Sequence, residues 1–192
     1  MTMNVRYLLL AVLVLASGAT VAAGPSGQAL AFTCAGCHGT DGSSVGPSSP
    51  SIAGMDPEVF MDAMKAYKAD QRNATIMNRI AKGYTNTQIK EMALFFAKQK
   101  LQVEPQKYDV ALAARGSKLH EKYCGKCHED SGRGDAGTLA GQWKPYLEYT
   151  MADFRSGKRE WPYKMKRKVD EAVAEQGEQA ITALIHFYVS QK

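Results

Sequence analysis

The sequence predicts an all-α chain in which two tandem domains repeat one plan, and three observations carry that prediction. Apolar residues recur at i, i+3, i+4 and i+7 in several segments, while no run alternates convincingly with period two. All four cysteines fall in two copies of one pattern, Cys34-Ala35-Gly36-Cys37-His38 and Cys124-Gly125-Lys126-Cys127-His128. The stretches that follow keep the same offsets. Six residues separate Gly54 from Phe60 and Gly141 from Leu147, and fifteen separate Ile52 from Tyr67 and Leu139 from Phe154.

Composition sets the outer bounds. At 192 residues, with 45% hydrophobic and 22% charged side chains, the chain suits one or two globular domains. That excludes disorder and a collagen-like repeat, and four cysteines are too few for a disulfide-dense miniprotein. The net charge of +5 is not gathered into a basic stripe, so nucleic acid is not an expected partner.

Residues 1–23 open with Arg6, continue through an apolar run from Tyr7 to about Ala16 and end in Val21-Ala22-Ala23. That is the layout of a secretory signal peptide, with cleavage expected after Ala23. The apolar run is shorter than the roughly 20 residues that span a bilayer, which argues against a permanent anchor. In a bacterium, export places the chain in the periplasm, with no membrane span after cleavage. The first domain is expected over 24–101 and the second over 109–192. Residues 102–108, with Pro105 in the middle, read as the linker.

Each half opens with a short helix running into its first cysteine, Gln28 to Thr33 and roughly Leu112 to Tyr123. A second helix follows the repeat. Phe60, Ala63, Met64 and Tyr67 share one face, as do Leu147, Thr150, Met151 and Phe154. Asp56-Pro57 supplies a cap and a proline at the first helical position, where a missing N–H costs nothing. Each half closes with a third helix. Thr85 and Gln88 form a capping box ahead of Ile89, Met92, Ala93 and Phe96, and Ile181, Leu184, Ile185 and Tyr188 repeat the spacing at the C-terminus.

In Cys-x-x-Cys-His the thiols lie about one helical turn apart, so both reach the vinyl groups on one edge of a porphyrin while the imidazole falls beneath the iron. The motif therefore predicts covalent attachment of haem c, twice, through Cys34 and Cys37 and through Cys124 and Cys127. A redox disulfide pair would not need the following histidine, and no βαβ pattern surrounds either copy. A shared zinc site is disfavoured because the pairs lie 90 residues apart. The fold expected is thus two tandem class I cytochrome c-like domains, each with His38 or His128 as one axial ligand.

The second axial ligand must come from elsewhere, and methionine raises the potential relative to a second histidine. Met64 and Met92 fall on apolar helix faces and read as core, as does Met151. Met77 sits in a loop-like stretch 39 residues after His38, and Met165 occupies the matching slot 37 residues after His128. The repeat thus selects one methionine per domain. His120 and His186 are the rivals for bis-His ligation and read as surface or packing histidines.

The chain resembles the dihaem cytochrome subunit of flavocytochrome c sulfide dehydrogenase over nearly its whole mature length. The resemblance is carried by Cys34-Ala35-Gly36-Cys37-His38-Gly39-Thr40, by Ser49-Pro50-Ser51-Ile52-Ala53, and by Thr75-Ile76-Met77 with Arg79-Ile80-Ala81-Lys82-Gly83-Tyr84. In the second half it lies in Lys118-Leu119-His120 and Leu139-Ala140-Gly141-Gln142-Trp143. It implies a non-catalytic subunit paired with an FAD-containing subunit that oxidises sulfide in the periplasm. Two His/Met haems would pass single electrons to a soluble acceptor such as a cytochrome c. The metal ligands it implies are His38, Met77, His128 and Met165. The segments Glu129 to Thr138 and Arg159 to Tyr163 match less closely. The competing reading is a free-standing dihaem shuttle that delivers electrons to a terminal oxidase.

Two surface features bear on the choice. Met55, Val59 and Met61 flank the buried stripe of the first domain's middle helix, where they form either an interface patch or the fringe of the core. Lys158, Arg159, Lys164, Lys166, Arg167 and Lys168 cluster beside Met165 and form either an ordinary solvated face or a surface that steers an acidic partner or offsets haem propionates. Gly132-Arg133-Gly134-Asp135-Ala136-Gly137 has the Gly-x-Gly-x-x-Gly spacing, but no βαβ pattern surrounds it, so FAD is expected on the partner only.

Overall fold

The computed structural model describes residues 24–192, so the expected signal peptide lies outside the described residues. The described chain is helical, with no strand beyond one isolated bridge. In the first half α1 (Gly27–Ala31) tightens into a 3₁₀ turn over Phe32–Cys34 and continues as α2 (Ala35–His38). Then come α3 (Pro57–Lys68), the short α4 (Met77–Ala81) and α5 (Asn86–Phe96). The second half runs α6 (Val110–Leu119), α7 (Lys144–Arg155), α8 (Tyr163–Gln176) and α9 (Gln179–Ser190).

Local chemistry starts these helices where expected. The Asp56 carboxylate accepts from the Glu58 and Val59 amides ahead of Pro57. Thr85 and Gln88 close both arms of the capping box. Asp109 caps α6 by accepting from Leu112 N–H at 2.8 Å.

Each half buries its own core. In the first, Ile89, Met92, Ala93 and Phe96 of α5 are wholly buried and pack with Leu30, Phe60 and Met64. Full burial of each large side chain is worth about 1.5–3 kcal/mol. In the second, nine residues of α9 are buried, among them Ile181, Leu184, Ile185 and Tyr188, against Leu119, Tyr123 and Leu147.

In both halves the helix leading into the cysteines crosses the closing helix at a glycine. A Cβ on Gly116 would stand 2.0 Å from the Ala183 carbonyl oxygen, and one on Gly27 would stand 2.5 Å from that of Glu91. Only glycine permits so close a crossing.

Two elements differ from expectation. The chain enters the second cysteine pair through a π-turn over His120–Cys124, closed by Gly125 N–H donating to the His120 carbonyl, rather than by continuing α6. Helix α8, fourteen residues long, was not anticipated. Seven of its residues are charged, yet Met165, Val169, Ala172 and Val173 fall at i, i+4, i+7 and i+8 and give it a narrow apolar stripe.

The halves touch directly. Arg72 and Arg159 form an antiparallel backbone bridge, and the Asn73 amide donates to Asp153 at 3.3 Å. Trp143 Nε1 donates to the Ser44 carbonyl at 3.0 Å. Residues 102–108 carry no helix but are held: Gln102 N–H donates to Ser43 Oγ, and Gln106 binds both the Gln142 carbonyl and the Lys144 N–H.

Candidate functional site

The same turn follows each Cys-x-x-Cys-His motif. The Gly42 carbonyl accepts from the Ile52 and Ala53 amides, and the Gly132 carbonyl accepts from Leu139 and Ala140. Both glycines have positive φ, 90° and 95°, and a Cβ there would press on Phe96 or Tyr188 at 2.8 or 2.9 Å. Gly54 and Gly141 then donate to the carbonyls of Phe96 and Tyr188, tying each turn to the closing helix. The sequence repeat is therefore a repeat of backbone hydrogen bonds.

Within each pair one thiol faces the core and the other faces solvent. Cys34 and Cys124 are half-buried against their cores, whereas Cys37 and Cys127 are exposed. Burial pushes the Cys34 and Cys124 thiols up. His38 is buried and its Nδ1 lies 2.8 Å from the Pro50 carbonyl. A ring N–H donated there leaves Nε2 free for a metal. Burial holds both His38 and His128 below the ordinary histidine range, which favours the neutral imidazole a metal requires.

The two histidines are not equivalent. His128 Nδ1 is buried with no hydrogen-bond partner among the described residues. The cause lies in the loop. Fourteen residues separate His38 from Ile52, but only eleven separate His128 from Leu139. The shorter loop turns through left-handed backbone at Asp130 (φ 44°) and Ser131 (φ 57°), a conformation that costs about 1–3 kcal/mol per non-glycine residue. No carbonyl is left opposite His128.

Met77 opens α4, half-buried against the first core, rather than lying in a loop. Met165 is half-buried in the first turn of α8. Met64, Met92 and Met151 pack into the cores as their helical positions require. The rival histidines are both satisfied inside the protein rather than on its surface. His120 Nδ1 lies 3.0 Å from Tyr188 Oη and packs on Phe187, and His186 Nδ1 accepts from Asp109 N–H at 2.7 Å.

At the seam, the Arg72 guanidinium lies 4.8 Å over Tyr67 and the Arg159 guanidinium 4.1 Å over Phe154. Neither arginine joins an ion pair among the described residues. Burial and the neighbouring Arg72 pull Arg159 down to about 10. Of the basic cluster near Met165, Arg159 is in the seam, whereas Lys166, Arg167 and Lys168 pair with Asp170 and Glu171 along a largely solvated face of α8. Met55 and Met61 pack against the core, and Val59 faces Gly137 of the second half, so that trio fringes the interior.

Two cysteine pairs with free thiols, each followed by a histidine held below its ordinary range, buried at His38 and half-buried at His128, form a donor set suited to covalent haem c. Comparison with known proteins agrees. The cytochrome c family model matches residues 25–100. Cytochrome c4 of Pseudomonas aeruginosa is 33% identical over 144 residues, covering 70% of this chain and 72% of that protein. The cytochrome subunit of sulfide dehydrogenase from Chlorobaculum tepidum is 46% identical over 70 residues, covering 36% of this chain and 63% of that one. The structure of reduced recombinant cytochrome c4 from Pseudomonas stutzeri superposes with a TM-score of 0.74 at 26% identity, covering 88% of this chain and all of that one. The chain belongs to the cytochrome c family, as a dihaem electron-transfer protein with two cytochrome c domains.

Proposed function

We propose that this chain is the electron-transfer subunit of a periplasmic sulfide dehydrogenase, taking electrons singly from an FAD-containing subunit and passing them to a soluble acceptor. The observation that carries this reading is the 46% identity to the Chlorobaculum tepidum cytochrome subunit. It exceeds the 33% shared with Pseudomonas aeruginosa cytochrome c4, although it covers less of the chain. A thiosulfate dehydrogenase electron acceptor from Thiomonas intermedia, 28% identical over 142 residues, supports a place beside sulfur-oxidising enzymes.

Bound haem supplies a one-electron iron couple. In our assignment Cys34, Cys37, Cys124 and Cys127 would anchor the two haems, His38 and Met77 would hold the iron of the first domain (24–101), and His128 and Met165 would hold that of the second (109–192). Arg72 and Arg159, stacked on aromatic rings without a carboxylate partner among the described residues, would be available to offset the negative charge of propionates. Linker 102–108 joins the domains, and cleavage after Ala23 releases the mature chain. With each iron held by a histidine and a methionine and all four thiols taken up in thioethers, no group would remain to bind sulfide or form a persulfide. The two-electron oxidation then belongs to the flavin partner.

The free-standing shuttle remains the second reading, favoured by the 70% coverage in the cytochrome c4 match and by the packing of Met55 and Met61 into the core. Affinity purification of the tagged, haem-loaded chain from its own periplasm separates the two. Recovery of a stoichiometric FAD-containing protein supports the subunit reading, and recovery of the cytochrome alone supports the shuttle.

A further inference from the structure

The side chain of Gln142, in the second half, is buried 91 residues away in sequence from the backbone it binds. Its Oε1 accepts from Ser51 N–H at 2.9 Å, and its Nε2 donates to the Ser51 carbonyl at 3.0 Å. One amide thus clamps both polar groups of a first-half residue, as a neighbouring strand would. The same Oε1 also accepts from Trp143 N–H at 3.1 Å, which fixes the amide's orientation.

Ser51 follows Pro50, whose carbonyl is the partner of His38 Nδ1 at 2.8 Å. The Pro50 carbonyl and the Ser51 N–H belong to one planar peptide unit, so the hydrogen bond from Ser51 N–H to Gln142 Oε1 orients that carbonyl directly. The loop is held further by Ser44 N–H donating to Ser51 Oγ at 3.1 Å, and Ser44 Oγ in turn donates to the Cys37 carbonyl. The chain of contacts therefore runs from Gln142 through Ser51 and Pro50 to the ring of His38. Nothing equivalent reaches His128, whose Nδ1 has no partner among the described residues.

We infer that Gln142 is a positioning residue for the axial histidine of the first haem: it fixes the Pro50 carbonyl against His38 Nδ1, so the second domain sets the ligand strength of the first domain's iron. A hydrogen bond from Nδ1–H makes an imidazole a stronger donor and favours the oxidised metal. Loosening the clamp should therefore raise the first haem's potential and leave the second unchanged. The inference rests on the assignment of His38 as a haem ligand.

The test uses the haem-loaded full chain. Gln142→Met keeps the side-chain length and removes both hydrogen bonds to Ser51. Gln142→Glu keeps the acceptor and loses the donor. Asn73→Ala removes a different contact between the halves and serves as control. A redox titration followed by NMR reads each haem separately, and ¹⁵N-histidine labelling reads exchange of the His38 Nδ1 proton.

For Gln142→Met the expected result is a three- to tenfold shift of the first haem's Fe(III)/Fe(II) ratio toward Fe(II), about 30–60 mV at 59 mV per tenfold for one electron. His38 Nδ1–H exchange should quicken in parallel, with Gln142→Glu intermediate and Asn73→Ala unchanged. Equal shifts in both haems, or an equal shift from Asn73→Ala, would mean general loosening and overturn the inference. A His38 that carries the hyperfine shift of an iron ligand but keeps its exchange rate in Gln142→Met would overturn the positioning role alone. A His38 without that shift in the oxidised parent would overturn the ligand assignment and the inference together.

Discussion

Gly116→Ala probes the helix crossing on which the second domain is built. A methyl there would stand 2.0 Å from the Ala183 carbonyl oxygen and 2.7 Å from Phe187 Cβ, where ordinary contact begins near 3.4 Å. Because the nearest atom is backbone, no rotamer change relieves the clash, and α6 and α9 must part by roughly 1.4 Å. Overpacking of this kind costs about 1–3 kcal/mol, and parting the helices also loosens Leu119, Phe187 and Tyr188. Against that, alanine is favoured over glycine in a helix interior by about 1 kcal/mol. The clash is too deep for propensity to offset it, so a net destabilisation of about 1–2 kcal/mol is expected. Guanidinium unfolding of the haem-loaded protein, followed by Soret circular dichroism, would show it as a lower midpoint. Gly36→Ala, with no atom within 4 Å of the new methyl, should leave the midpoint in place. Equal or greater stability in Gly116→Ala would refute the argument that the crossing depends on a missing side chain.

Three further outcomes are expected. Replacing Met77 or Met165 with Ala should remove one haem's share of the long-wavelength charge-transfer band of the oxidised protein and lower that haem's potential; two intact Met-ligated haems in Met165→Ala would sink the second-domain assignment. Thr85→Ala, which opens the capping box of α5, should cost about 1 kcal/mol in the same unfolding assay, and no loss would mean that water replaces the cap. Arg167→Ala should change stability by less than about 0.5 kcal/mol, because its pairing with Glu171 at 3.8 Å is solvent-exposed; a large loss would show a packing role for the side chain.

The helices were legible wherever a broad apolar stripe coincided with a cap, as in α3 and α5. Helix α8 is not legible in the sequence because its stripe of Met165, Val169, Ala172 and Val173 is narrow and set among lysines and glutamates. The methionine slots came from the repeat, but the helices that carry them did not, since α4 is only five residues long. The π-turn before Cys124 has no pattern of its own in the sequence. At the site, cysteines and histidines adjacent in sequence declare themselves through their spacing. What sets the two histidines apart depends on apposition: the Pro50 carbonyl reaches His38 across a twelve-residue separation, and Gln142 reaches Ser51 from the other half. The shorter loop after His128 was visible as a less similar segment. Its consequence, an unpartnered Nδ1, needed the backbone path.

Anaerobic stopped-flow mixing of the oxidised, haem-loaded chain with sulfide decides whether this protein is an electron carrier that depends on a flavin partner. Sulfide alone should leave both haems oxidised on the timescale of turnover, and adding the FAD-containing subunit should reduce both, two electrons per sulfide. Rapid, saturable haem reduction by sulfide in the absence of any flavoprotein would contradict it.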